Sequence, residues 1–426
     1  MSCRPSGLRT GGPRGPHDIQ RRVQIIVTSH RWPIAWLIAA AIAISYFDRQ
    51  TLSVAVTAIQ RDFPITNTQF SQLQAAFLLA YAVMYAGGGR LIDALGTKRG
   101  FVVIMIFWSL ACASHGLASG FAMLAASRFL LGLGEGGGFP AATKAVAEWF
   151  PARDRATAMG IINGGTAIGA VVAPPAIAAV LGVASWRWVF FLSGATGLVW
   201  VLVWMRRYHT PLDADVSAPA EAAIPWTRLL TFPQVWGLVV AKFLSDAAWF
   251  FYLFWLPKYL YDVRHFDVKA VGAYAWIPYA ASGIGCLVGG GFSSWLLRRG
   301  SSLDAARKIA LGASAALMPA IVFVTRVPVE LAIVIFSVAF FGQQSWSTLV
   351  MIVPVDLFPR RVVASVAGLV GFGGAMGGVV FNLVAGRLLD AGFGYGTVFA
   401  IVGSFHVVAF GIILLTVRRI QPLAVV

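Results

Sequence analysis

Four charged residues sit in stretches too apolar to hold them without a reason: Asp48 and Arg49 in ISYFDRQ, and Arg128 and Glu135 in SRFLLGLGEGGGFP. An ionised carboxylate at the depth of a bilayer centre costs about 2.5–3.5 kcal/mol on insertion scales. Such a group persists where it faces a wet cavity or a partner, and often where its protonation does work. Arg128 and Glu135 are seven residues apart, so on a helix they share a face about two turns from each other. Glycines 132, 134, 136, 137 and 138 remove side-chain bulk beside them, so that a neighbouring helix or a ligand can approach closely. Pro140 is expected to bend the helix beyond that run. Asp48 and Arg49 are adjacent and point about 100° apart, so they need not pair with each other. The acid can reach another helix while Arg49 faces a cavity, where its planar fork suits a carboxylate. A structural salt bridge is the alternative reading for both sets.

The carboxyl half carries a different polar inventory. Lys242 and Asp246 stand at i and i+4, either neutralising each other within one helix or serving a ligand. Trp249 follows on the same helix with Tyr252, Trp255 and Tyr259, residues suited to a membrane-interface belt or to packing on a sugar ring. Gln343, Gln344, Ser345, Trp346 and Ser347 form a polar cluster in an apolar span. They offer donors and acceptors to hydroxyls or to another helix. Asn163 and Asn382 are single intramembrane amides with the same two options. No HExxH, GxSxG or P-loop lysine motif is present, and the GxGxxG match at Gly132–Gly137 has no strand before it. The six histidines are scattered, and Cys3, Cys112 and Cys286 lack metal-ligand spacing. We therefore expect no enzyme, no metal and no cofactor.

The elements that position these residues follow from composition. Of 426 residues, 58% are hydrophobic and 12% charged, with a mean hydropathy of +0.76. Apolar runs long enough to cross a bilayer recur from Trp32 to Val417, which makes this an all-α polytopic membrane protein. The net charge of +16 would point to nucleic acid in a soluble chain. Here Lys and Arg concentrate on one set of alternating loops and termini, which places both termini in the cytoplasm. Twelve transmembrane helices are expected near 33–57, 71–92, 101–119, 121–146, 155–181, 187–207, 235–260, 269–297, 308–325, 328–353, 361–388 and 395–417. Residues 1–31 read as a disordered basic cytoplasmic tail, and the apolar run after them is too long for a signal-peptide core. Residues 32–208 form one six-helix bundle, 209–234 a proline-rich cytoplasmic linker, 235–418 the second bundle, and 419–426 a short cytoplasmic tail.

The two halves echo each other at one offset. Phe150-Pro151 corresponds to Phe358-Pro359, Glu148 to Asp356, Ala156 to Ala364 and Gly160 to Gly368. Gly165, Ala167, Gly169 and Val172 fall on Gly373, Ala375, Gly377 and Val380. A gap-free run of this kind indicates duplication into two six-helix pseudo-repeats. In the same register Glu135 falls on Gln343. Proton coupling is thus assigned to the amino half, and hydrogen bonding to a ligand mainly to the carboxyl half.

Between the second and third helices, GRLIDALGTKR from Gly89 through Asp93, Gly96 and Arg99 resembles the GxxxDxxGxxR signature of major-facilitator transporters. It is read as a cytoplasmic latch: glycines allow the tight turn, and Asp93 can pair with a cation or cap a neighbouring helix. With GEGGGFPAATKAVAEWFP, KFLSDAAWFFYLFWLPKYL and QQSWS, the chain resembles the anion:cation symporter family of that superfamily, and hexuronate transporters in particular. The resemblance implies proton-driven uptake of a sugar-acid monocarboxylate across a bacterial inner membrane. The bilayer, protons and a small organic anion are then the partners, with no nucleic acid, and a monomer is expected. It also implies that Asp48 and Glu135 are the proton-linked acids, that Arg49 and Arg128 meet the acids and the substrate carboxylate, and that Tyr46 and Tyr81 line the site. Galactonate, glucarate or an aromatic acid is the alternative substrate, and a transporter-like sugar-acid sensor a further alternative. Where the family often has proline after the seventh-helix aspartate, this chain has Ala247, which questions a bend there.

Overall fold

A computed structural model describes residues 16–150, 152–209, 226–358 and 360–423, all helix and connections with no strand among them. The amino half comprises α1 (Pro16–Asp62), α2 (Asn67–Leu95), α3 (Thr97–Ser114), α4 (Phe121–Glu135), α5 (Gly138–Trp149), α6 (Ala152–Leu181) and α7 (Trp186–Arg207). A short α8 (Trp226–Leu229) leads into α9 (Pro233–Asp262), α10 (Val268–Tyr274) and α11 (Trp276–Arg298). The chain ends with α12 (Leu303–Ala316), α13 (Val329–Leu357), α14 (Arg360–Asp390) and α15 (Gly394–Thr416). Among the described residues, nine helical stretches are long and apolar enough to cross a membrane.

Several boundaries differ from expectation, each for a local reason. The helix expected over 121–146 breaks into α4 and α5 at Gly136–Gly137, ahead of Pro140. Consecutive glycines have no side chains to hold the helix, whereas Pro140 falls in the first turn of α5, where its missing N–H costs nothing. The passage expected over 269–297 divides at Ala275 into α10 and α11. That expected over 308–325 passes from α12 into a 3₁₀ segment, Met318–Phe323, with Pro319 at its start. α9 runs unbroken through Ala247 and holds Pro257 instead. Residues 16–31 of the expected tail are helical, because α1 begins at Pro16 and no Gly or Pro interrupts it before Pro33. Residues 1–15 and the linker residues 210–225 lie outside the described residues. The carboxyl tail folds back: the Ile420 N–H donates to Asp304 Oδ1 at 2.8 Å, and the Leu423 N–H to the Leu357 carbonyl at 2.7 Å.

The duplication shows as a packing device. A Cβ built on Gly169 of α6 would run into the Ala43 carbonyl of α1, and one on Gly377 of α14 into the Phe243 carbonyl of α9. Gly165 and Gly373, one turn earlier, meet Ala39 and Val239 in the same way. Helices in a bilayer lack a hydrophobic drive to associate, so close backbone approach at small residues replaces it.

Contacts between the halves run from one end of the molecule inward, past Leu78 on Gly378 to Tyr85 on Gly371. Asp390, at the end of α14, accepts from the Asn67 N–H at 3.1 Å and the Thr68 N–H at 2.7 Å, the first residues of α2. The Tyr261 hydroxyl donates to the Val54 carbonyl at 2.8 Å, and Gly386 packs against Ser71. Toward the other end, glycines 87, 160, 291 and 368 have open space around them. The halves thus close where α1 and α9 finish and part where α2 and α11 finish.

Two expectations follow. Ala at Gly377 should cost about 1–3 kcal/mol through overpacking, while Ala at Gly87 should be neutral or stabilising by up to about 1 kcal/mol. Thermal unfolding of the detergent-solubilised variants will compare them. At Asp390 partial burial raises the carboxyl, but hydrogen bonds from Thr68 and Asn67 outweigh it and hold the group below the ordinary carboxylate range. A depressed native pKa gives a contribution that is present above the unfolded value of about 3.9 and lost as pH falls through the native one. Closure at this end should therefore be constant from pH 5 to 8, whereas Asp390→Asn should loosen it at neutral pH. Distances between spin labels placed across that end will report both.

Candidate functional site

α1 and α4 bring the first two sequence motifs together by an unexpected pairing. Glu135 shares a helix face with Arg128, yet it pairs with Arg49: Arg49 Nε lies 2.8 Å from Glu135 Oε2. Ser45 Oγ donates to the same oxygen at 2.7 Å. The reason is reach, since two helical turns separate Arg128 from Glu135, while the long Arg49 side chain extends from α1 to the acid. The Arg49 guanidinium also lies over the rings of Tyr46, at 4.4 Å, and Tyr81, at 4.7 Å. Arg49, Glu135, Tyr46 and Tyr81 therefore meet. Arg49 and Glu135 are each about 2% exposed.

Arg128, fully buried, is held without a carboxylate. Its Nη2 donates to Gln74 Oε1 at 2.6 Å and to the Arg49 carbonyl at 3.2 Å, and its charge lies over the Phe77 ring. Its Nε and Nη1, like Glu135 Oε1, are buried without a hydrogen bond among the described residues. Asp48 turns away from Arg49, accepting from Ser193 Oγ of α7 with the Cys112 thiol of α3 against it. Gln74, Ser193 and Ser45 were not singled out by sequence. Their one signal is a polar side chain in an apolar span, which many structural residues share. An apolar cavity of about 300 Å³ between α1, α6 and α7, lined by Ile44, Phe47, Ile168 and Leu192, reaches Ser193 from the membrane-facing side.

The carboxyl half faces this cluster with a neutral surface. Lys242 Nζ pairs with Asp246 Oδ1 at 2.9 Å and donates to Ser347 Oγ at 2.8 Å. Gln343 donates to the Ser245 carbonyl at 3.2 Å, and its carbonyl stands 3.4 Å from His406 Nε2. Four expected ligand residues are held within the carboxyl half by hydrogen bonds or packing. Asn382 accepts from Trp255 and donates to the Gly378 carbonyl, because a fully buried amide must satisfy both ends inside the bundle. Ser345 donates to the Gly285 carbonyl at the crossing of α11 and α13. Trp346 is buried in the carboxyl-half core against His406 and Phe410. Trp249 is likewise packed, edge-on to Phe340. Asn163 lies exposed on α6 between two open glycines, 160 and 164, apart from the charged cluster.

Of the expected latch, Gly96 adopts φ +74° between α2 and α3, a turn that favours glycine, and Arg99 is exposed. The side chains at Gly89 and Asp93 lie outside the described residues. Of the two described cysteines, Cys286 is the more accessible. It is half-buried beside Gln344 and Thr348, within electrostatic reach of Tyr46 across the seam, whereas Cys112 is fully buried. Maleimide should therefore alkylate Cys286 and spare Cys112, read by peptide mass spectrometry, and a solute bound in the seam should slow the reaction.

The model of the Major Facilitator Superfamily matches residues 38–381. The chain is 29% identical over 417 residues to the hexuronate transporter of Escherichia coli strain K12, covering 92% of this chain and 95% of that protein. It is 31% identical over 278 residues to the galacturonate transporter of Dickeya chrysanthemi, covering 61% of this chain and 80% of that one. Among solved structures, a bacterial homologue of the human lysosomal transporter Spinster, in an inward-facing and occupied conformation, superposes with a TM-score of 0.78 at 18% identity. That likeness spans 92% of this chain and 97% of the other, and speaks for the fold. A paired-bundle chain with this packing, matched over most of its length, belongs to the major facilitator superfamily.

Proposed function

We propose that the protein is a proton-coupled importer of a sugar-acid monocarboxylate, a hexuronate such as glucuronate or galacturonate, working by alternating access. The observation that carries this reading is the shared oxygen: Glu135 Oε2 takes both the Arg49 Nε–H and the Ser45 hydroxyl. A substrate carboxylate competes for the same donors. When Glu135 is protonated its charge no longer holds Arg49, and the planar guanidinium is released to grip the anion through two parallel hydrogen bonds. Tyr46 and Tyr81 flank that guanidinium and keep its plane in place. Arg128, anchored by Gln74, adds a second positive charge behind the site. Deprotonation restores the Glu135–Arg49 pair and expels the anion. The donors left on Arg128 and the free oxygen of Glu135 support a site that rearranges, because a finished structural pair would satisfy them.

The driving force sets the proton count. Each net charge moved through the membrane potential is worth about 2.3 kcal/mol per 100 mV, so anion import gains from the voltage only with more than one proton. Asp48, buried beside Ser193, supplies a second acid. The relatives named for hexuronate and galacturonate transport support the substrate class. With both termini in the cytoplasm of a bacterial inner membrane, the parted end faces inward. The protein acts as a monomer without metal or cofactor, driven by the proton gradient.

Uptake of labelled glucuronate into proteoliposomes under an imposed pH gradient tests this. The native protein should accumulate the label, and Glu135→Gln should lose gradient-driven accumulation while at most exchanging substrate across the membrane. Arg49→Lys should weaken apparent affinity by about 10- to 100-fold, the worth of one or two charge-assisted hydrogen bonds. Binding without flux in the native protein would favour a sensor instead.

A further inference from the structure

Charge bookkeeping across the seam separates one class of sugar acid from another. In the amino half a single protonation frees one guanidinium, that of Arg49, for an anion, while Arg128 stays on Gln74 behind it. In the carboxyl half, Lys242 and Asp246 lie well inside the long helix α9, while Arg307 and Lys308 of α12 are paired with Asp356 and Asp304. Lys242 and Asp246 are joined at 2.9 Å with side chains 8% and 12% exposed, so together they present no net charge. The pair lies at the seam itself. Asp246 is within electrostatic reach of the hydroxyls of Tyr46 and Tyr85 from the other half. Gly374 of α14, with no side chain, leaves room for Asp246 Oδ2. The neighbours Ser347 and Gln343 are neutral hydrogen-bonding groups.

We infer that Asp246 is a specificity-determining residue: by neutralising Lys242 it confines the site to ligands with one carboxylate and rejects sugar acids carrying a carboxylate at each end. This rests on the transport reading above. A six-carbon monocarboxylate places its anionic end at Arg49 and its hydroxyls against the carboxyl half. A dicarboxylate of the same length must bring a second anion against Asp246, where like charge and lost hydration oppose it. Removing the Asp246 charge leaves Lys242 on Ser347 with an uncompensated ammonium, the counter-ion that a second carboxylate needs.

The experiment measures inhibition of labelled galacturonate uptake by unlabelled galacturonate and by galactarate, its dicarboxylate counterpart, in proteoliposomes at pH 7. Native protein should favour galacturonate by about tenfold or more. Asp246→Asn should move the ratio toward galactarate by about tenfold or more, the worth of one charge-assisted hydrogen bond. The double variant Lys242→Gln with Asp246→Asn should lose that gain, which ties the effect to the ammonium and not to a general loosening of the site. Equal inhibition by the two acids in the native protein overturns the inference whatever the variants do, so it stays testable even if Asp246→Asn fails to fold. Galacturonate uptake with a ratio unmoved in Asp246→Asn also overturns it, while leaving the transport reading in place. Native protein that takes up neither acid overturns both.

Discussion

The buried ion pair between Arg49 and Glu135 is the constraint on which the amino half depends. It joins α1 to α4 across a region where neither charge can reach water, so breaking it without replacing a partner would strand a charge at a cost of about 3–5 kcal/mol. The surrounding groups are arranged around that cost. Tyr46 and Tyr81 sandwich the cation, Ser45 shares the anion's oxygen, and the Arg49 carbonyl anchors Arg128. An arrangement in which one carboxylate oxygen serves two donors can be traded for another anion offering the same geometry. On the transport reading, stability and exchange of partners come from the same contacts.

Around that centre the frame is held by backbone proximity. Gly169 on Ala43 and Gly377 on Phe243 let α6 and α14 ride against α1 and α9, so each half is a packed unit. Symmetry is incomplete where α2 meets α4 and α11 meets α13. In the first pair Gly132 of α4 faces the Phe77 carbonyl; in the second Gly285 of α11 faces the Phe341 carbonyl. The small residue has changed helix while the close crossing is kept. This is how two halves of common origin can hold different polar residues inside equivalent shapes.

The helical passages, the duplication and the charged quartet of the amino half were legible in the sequence, because bilayer burial makes each intramembrane charge conspicuous. The choice of partners was not. Sequence spacing relates Arg128 to Glu135 on one helix, but the partner is decided by which side chain reaches the acid, and Arg49 is more than eighty residues away along the chain. Ser193 is further still from Asp48. In the carboxyl half a polar residue in an apolar span signals only that its hydrogen bonds must be satisfied. For Asn382 and Ser345 they are satisfied by Trp255, Gly378 and Gly285, which sequence cannot tell from a ligand. The break at Gly136–Gly137 was masked by Pro140, a more familiar cause of helix distortion.

The contact of Asp390 with α2 has an evolutionary consequence. Its donors are main-chain N–H groups, present whatever residues other than proline occupy positions 67 and 68. A closure made of two side chains can drift only through paired changes, the first of which is usually harmful. This one can be strengthened, weakened or abolished by substitution at a single codon, without disturbing the helix that it grips. On the alternating-access reading, the balance between the two states is therefore open to gradual selection from one half alone.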